Sequence, residues 1–270
     1  MAEPAANDDW APTGIDVSVP SIARVYDCLL GGKDNFPSDR AVAASITAAA
    51  PGMPASVRAH RALLVRTVRY LVEQGVDQFL DIGSGLPAAQ NTHEVAQALN
   101  PAASVVYVDN DPIVLAHGRA LLADNARTTV ITADLRDPDE LLNHPSTKAL
   151  IDFDRPVGLL LFGIVHYLGD DHRPEELMRR YRDALPSGSY VALTHFVRDG
   201  PHSVAIEKVM LDDLGGGRFR TWDELAALFG DFEMVEPGMT FGHAWRPEEE
   251  LPDPLPVDMR IGAVGVARKP

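Results

Sequence analysis

The chain has 270 residues, 46% of them hydrophobic and 23% charged, which suits one large α/β domain or two small ones with a real core. Its 39 acidic against 24 basic residues give a formal net charge of -15 with no Lys/Arg run, so nucleic acid as a bulk partner is disfavoured. A single cysteine, Cys28, excludes an internal disulfide framework and a cysteine-based metal cluster and suits a reducing compartment.

Residues 1–19 are small, polar and proline-containing and read as a flexible tail. Met1–Trp10 carries Asp8 and Asp9 and lacks the apolar stretch of a signal peptide. The longest apolar run, Val157–Val165, is too short to span a bilayer, so the expected location is the cytoplasm, without a membrane partner. Residues 20–75 follow a helical pattern and are expected to form a cap over a core built from residues 76–270. Ile22, Val25, Tyr26 and Leu29 share one helix face, and Gly31 and Gly32 stop that helix. Asp39–Ala50 and Ala55–Gln74 continue the pattern.

The texture then changes to short apolar, β-branched runs at Gln78–Ile82, Ser104–Val108, Thr128–Thr132 and Val157–Phe162. Helical stretches at Thr92–Leu99, Pro112–Asp124 and Asp137–Asn143 separate them, the signature of βαβ units and a parallel sheet. Glu175–Leu185 reads as a helix, Ser189–Phe196 as a fifth strand and Trp222–Phe229 as another helix. Phe232–Glu236 and Met259–Ala267 supply two last strands.

The sharpest local signal is Phe79-Leu80-Asp81-Ile82-Gly83-Ser84-Gly85-Leu86-Pro87, a strand running into a tight glycine turn. Gly83, Gly85 and Ala88 also satisfy the dinucleotide pattern G-x-G-x-x-G/A, so the glycines alone do not choose a ligand. Asp81 helps to choose. A pyrophosphate would be repelled by its charge, whereas a ligand with a cationic amino group would gain from it. S-adenosylmethionine, with an ammonium and a sulfonium, fits better than a nicotinamide dinucleotide.

Asp109, followed by Asn110, ends the second strand, where an acidic residue can take both ribose hydroxyls. Asp111 before Pro112 looks instead like a helix N-cap. Asp134 ends the third strand and can accept from an adenine amino group, with Ala133 and Leu135 packing on the ring. Three acidic residues thus fall at the carboxyl ends of three successive strands, the edge where open α/β sheets bind ligands.

Asp81-Ile82-Gly83-Ser84-Gly85, Asp109 and Asp134 resemble the motifs of class I S-adenosylmethionine-dependent methyltransferases. The segments Arg24–Phe36 (with Gly31-Gly32-Lys33-Asp34-Asn35), Phe79–Asn91 and Tyr107–Pro112 are similar to the bacterial family called S-adenosyl methyltransferase. The resemblance covers nearly the whole chain after residue 19, and Pro87 stands where the usual third glycine would. It implies a Rossmann-like, mostly parallel sheet of seven strands with the last antiparallel and helices on both faces. It also implies S-adenosylmethionine as cofactor, and names no acceptor.

The segment around Tyr26, Asn35 and Phe36 is richer in polar groups than a plain connector. Tyr26 or Asn35 is placed to reach the methionine carboxylate or the acceptor, and Arg58 to pair with that carboxylate. The fourth strand delivers Phe162-Gly163-Ile164-Val165-His166-Tyr167 to the expected acceptor position. His166, or His195 at the end of strand five, is a candidate general base. No metal-ligand spacing and no G-x-S-x-G elbow occurs. The expected function is methyl transfer to a small-molecule acceptor. A non-catalytic S-adenosylmethionine-binding regulator and a nicotinamide-dependent oxidoreductase are the alternatives.

Overall fold

The computed structural model describes residues 16–121 and 125–270, so most of the expected tail lies outside the described residues. The end of that tail is tied down: Ser38 Oγ donates to the Val17 carbonyl at 2.7 Å, and Arg24 Nη2 donates to the Val19 carbonyl. Among the described residues no helix is long and apolar enough to cross a membrane.

Five parallel strands form the centre: β1 (Gln78–Ile82), β2 (Ser104–Asp109), β3 (Thr128–Thr132), β4 (Gly158–Phe162) and β5 (Tyr190–Phe196). Their spatial order is 3-2-1-4-5. Beside β5 runs β8 (Gly262–Arg268), antiparallel along its whole length. Two short strands, β6 (Glu233–Met234) and β7 (Thr240–Phe241), pair antiparallel with β8. The sheet thus follows the expected Rossmann-like plan, with eight strands in place of seven. The extra one, β7, is two residues long, too short for an alternating pattern to show in sequence.

Strand side chains alternate between faces, and each face meets its own helices. On one face Phe79, Val105, Leu160 and Ala192 pack with Leu63, Leu64, Val68 and Leu71 of α3 (Met53–Glu73). On the other, Leu80, Val106, Leu159 and Leu193 pack with Leu177, Met178 and Tyr181 of α8 (Pro174–Ala184). Carried to the strand ends, the alternation turns Asp81, Phe162 and Thr194 toward α3, and His195 away from it. The helix α3 is therefore a layer of the sheet sandwich, and the covering role falls to α1 (Ile22–Leu30) and α2 (Pro37–Ala49).

A helix not expected from the sequence, α9 (Pro201–Leu214), packs against α2. Val204 and Leu211 on it are exposed while Ile206 and Met210 are buried, so apolar residues on both faces blur its period.

Asp39 joins the N-terminal segments. It is fully buried, and it accepts from Ser21 N at 2.9 Å, Phe36 N at 2.8 Å and Arg24 Nε at 2.8 Å. Removing one partner of a buried pair strands the other charge, at about 3–5 kcal/mol. Urea unfolding of Arg24→Ala should show a loss of that order. A loss below about 1 kcal/mol would mean that the two backbone donors suffice for Asp39.

Candidate active site

A cavity of about 690 Å³ opens at the carboxyl ends of β1, β2, β4 and β5, under α1 and beside α3. It spans the point between β1 and β4 where the strand order reverses, the usual ligand position in such sheets. Its volume falls in the upper half of the range of about 300–1,000 Å³ common for ligand sites.

The polar end is built by the glycine turn. Gly83 (φ 73°) and Gly85 (φ 66°) hold left-handed conformations. A Cβ on Gly83 would lie 2.5 Å from Ile164, so the turn abuts the loop after β4. A Cβ on Gly85 would meet nothing within 4 Å, so there the backbone faces open space. Ser84 and Asn110 line the cavity with them. Asp109 braces the turn: its Oδ2 accepts from Gly85 N at 2.9 Å and its Oδ1 from Asp111 N at 3.0 Å. Asp111 caps the next helix, α5 (Pro112–Leu121), through Ile113 N at 2.9 Å, as its place before Pro112 predicts.

Asp81 is buried on the cavity wall and accepts from Thr92 Oγ1 at 2.6 Å. Burial pushes its carboxyl up to about 6; the Thr92 hydrogen bond and the charge of Arg61 oppose that only in part.

At the other end Tyr26 reaches down from α1. Its hydroxyl lies 2.9 Å from His60 Nδ1, and His60 Nε2 lies 2.8 Å from Thr194 Oγ1, which accepts from Gly163 N at 2.8 Å. Burial raises the Tyr26 phenol to about 12 and lowers His60 to about 4, so both are neutral. Phe162 packs 5.5 Å from the His60 ring. Sequence reasoning missed His60 and Thr194. Yet His60 stands three and four residues before Leu63 and Leu64, on the sheet-facing side of α3, and Thr194 stands two after Ala192 on the same strand face.

The two candidate bases differ. His195 has both ring nitrogens engaged: Arg220 Nη1 donates to Nε2 at 2.7 Å, and Nδ1 lies 2.7 Å from the Phe196 carbonyl. A guanidinium cannot accept, so the proton sits on Nδ1 and the lone pair is taken. Burial, with the Arg220 charge beside it, lowers this ring to about 3. His195 is thus unsuited to serve as a base while Arg220 holds it. His166, on the turn Val165–Tyr167, has no side-chain hydrogen bond among the described residues, and its buried Nδ1 is unpartnered. Burial first, then His195, His60 and Arg220, lowers it well below 6.5.

The other candidate residues lie off the cavity wall. Arg58 is exposed; the arginines on the wall are Arg24, paired with Asp39, and Arg61, which donates to Asn91 Oδ1 at 2.9 Å. Asn35 stitches its own loop, donating to Asp27 Oδ2 at 2.8 Å and to the Gly32 carbonyl at 3.1 Å. Ala133 and Leu135 belong to the core on the α8 side of the sheet. Asp134 pairs with Arg136 at 2.5 Å, which holds its carboxyl low, helped by Asn110. None of these three lines the cavity: two face the core and the third is paired with Arg136.

A family model described as S-adenosyl methyltransferase matches residues 8–270. The chain belongs to that family. A crystal structure of a provisionally assigned methyltransferase from Thermobifida fusca YX is 50% identical, with 96% of this chain and 98% of that one covered and a TM-score of 0.93. A DUF574 family protein from Streptomyces avermitilis MA-4680 is 36% identical, covering 94% and 99% of the two chains at a TM-score of 0.90. No curated protein matches. Fold and family are those of S-adenosylmethionine-dependent methyltransferases.

The buried Asp81 carboxyl carries a stability consequence. Raised from 3.8 to about 6, it favours the fold fully below pH 3.8, and that contribution is lost as pH rises through about 6. The charged form therefore costs up to about 3 kcal/mol at neutral pH. Asp81→Asn should unfold at higher denaturant than the parent at about pH 8, with the gap closing toward about pH 4. A variant less stable at both would show that the carboxylate is held by more than Thr92.

Proposed function

We propose that the chain binds S-adenosylmethionine at the polar end of this cavity and transfers its methyl group to a small-molecule acceptor held at the other end. The observation that carries the proposal is Asp81, a buried carboxylate with one hydroxyl donor, set beside a glycine turn that faces open space. An unpaired buried carboxylate is costly unless a cation completes it. The ammonium of the methionine moiety is such a cation, whereas a pyrophosphate there would be repelled.

The remaining residues fit the same ligand. Asp109 accepts from the backbone of Gly85, Asp111 and Asn110 and keeps capacity to accept from a ribose hydroxyl. Asn110 lies beside it for the base. Arg61, in place of Arg58, is the cation for the methionine carboxylate. Once bound, the cofactor supplies an electrophilic methyl carbon on a sulfonium. The chain's own part is to hold that carbon and the acceptor in line and to keep water out, with positioning as the main source of rate. The cavity continues past the turn to Tyr26, His60 and Phe196, and this room favours a catalyst over a binding protein without an acceptor site.

Calorimetric titration tests the proposal. S-adenosylmethionine should bind the parent protein and NADH should not, and Asp109→Ala should weaken binding at least about tenfold. No binding, or tighter binding of NADH, overturns it. Pairing with an ammonium lowers the Asp81 carboxyl from about 6, so binding at that pH should release a proton. The measured heat should then depend on the buffer's ionisation enthalpy near pH 6, and much less at about pH 7, where the free carboxyl is already ionised and the ligand's amino group is still protonated.

A further inference from the structure

From the far end of the cavity we infer that the methyl acceptor is an uncharged hydroxyl on a largely apolar skeleton, and that the His166 ring takes its proton. The inference rests on the proposed function above and adds the chemical class of the acceptor.

The cavity has two unlike halves. Its charged lining residues, Asp16, Arg24, Arg61, Asp81, Asp109 and Asp111, come from the start of α1, the facing turn of α3 and the ends of β1 and β2. Ser21 on α1 donates to Asp111 Oδ2, which fixes that end of α1 over β2. The other half is walled by Leu29, Ile46, Met53, Val57, Met210 and Ile261, which also pack together as one apolar cluster with Phe196 and Tyr167. Among the described residues no charged side chain of the wall lies in that half without a partner. Arg220, behind His195, is engaged by His195 Nε2, the Leu168 carbonyl and Asp170. A carboxylate acceptor would thus find no free cation and an ammonium no free anion, and burying either unpaired is costly.

Of the residues that carry a buried polar side-chain atom without a partner among the described residues, His166 is the one that lines the cavity; the partly exposed His243 lines it as well, beside Gly242. The His166 ring is 5% exposed, and His60, His195, Tyr167 and Phe196 surround it. It also stands close to the glycine turn. Gly83 abuts Ile164, two residues before His166, and a Cβ on Gly163 would lie 3.8 Å from His166 Cε1 and 3.4 Å from His60 Cε1. His60 is committed to Tyr26 and Thr194, and His195 to Arg220 and Phe196. His166 alone of the three keeps a free lone pair.

In the step, a lone pair of the acceptor oxygen forms the new O–C bond to the methyl carbon. The C–S bond breaks with its electrons passing to sulfur, and the hydroxyl proton moves to the unprotonated nitrogen of the His166 ring. The products are a methyl ether, S-adenosylhomocysteine and an imidazolium. Positive charge moves from sulfonium to imidazole and none is created, so a ring that is reluctant to protonate in the free protein still serves. An aliphatic amine would reach the site already protonated, without a lone pair to offer.

Matched acceptor triplets test this: 2-naphthol, 2-naphthoate and 2-naphthylmethylammonium, and the same three groups on biphenyl. Each is titrated into protein saturated with S-adenosylhomocysteine, and transfer from methyl-labelled S-adenosylmethionine is followed by mass spectrometry. The hydroxyl member should bind at least about tenfold tighter than either ion on at least one skeleton, and should gain the methyl group. Equal or tighter binding of an ionised member, or no binding by either hydroxyl compound, overturns the inference. His166→Gln keeps a hydrogen-bond acceptor but cannot hold the proton. It should bind S-adenosylmethionine and naphthol within about threefold of the parent while transfer falls about a hundredfold or more. Unchanged transfer removes His166 from the step. Failure of the parent to bind S-adenosylmethionine at all would instead overturn the proposed function, which separates the two results.

Discussion

A carboxylate sits buried at the end of the central strand, and much of the molecule is arranged around it. Asp81 follows Phe79 on the α3 face of β1, so the alternation that buries Phe79 also drives the Asp81 side chain inward. Among the described residues its one hydrogen bond comes from Thr92, the first residue of α4 (Thr92–Leu99), just beyond the glycine turn. Left charged, it opposes folding. Such local costs are tolerated where a ligand later offsets them, and a core of two well-packed sheet faces supplies the reserve.

The second organising device is a set of polar joints between distant parts of the chain. Ser21 meets Asp111, Tyr26 meets His60, and Arg24 meets Asp39. Through them α1 lies across the ends of β2 and β5 at once and divides the cavity into a charged half and an apolar half. The division follows the strand order: the acidic residues end β1 and β2, and His166 follows β4 while His195 stands at the end of β5.

Much of this was legible in the sequence, for physical reasons. Parallel strands buried on both faces give continuous apolar runs, and all five central strands stand where those runs fall. Asp81, Asp109 and the glycines were legible because a strand end and a turn fix side-chain placement within one residue. On a helix the tolerance is smaller: three residues separate Arg58 from Arg61, yet only Arg61 faces the cavity. Asn35 answers to Asp27 in its own loop, a contact set by the path of the turn after Gly31 and Gly32 and not by any spacing. The two histidines looked equivalent because each follows an apolar strand. What separates them is Arg220, which lies 25 residues further along the chain and leaves no local trace.

The light anchoring of α1 has a kinetic meaning. Of its nine residues Arg24 and Val25 are fully buried, while Tyr26, Cys28, Leu29 and Leu30 are only partly buried where they pack against the apolar cluster, and polar joints supply the rest. Hydrogen bonds exchange for water at small net cost, whereas core contacts do not. The roof of the cavity is therefore held less deeply than the sheet beneath it, and its opening is a sub-global event below the free energy of complete unfolding. Amide hydrogens in α1 would exchange long before those of β1, and the residence time of anything enclosed beneath would follow the opening rate of this one helix, not the strength of its contacts with the floor.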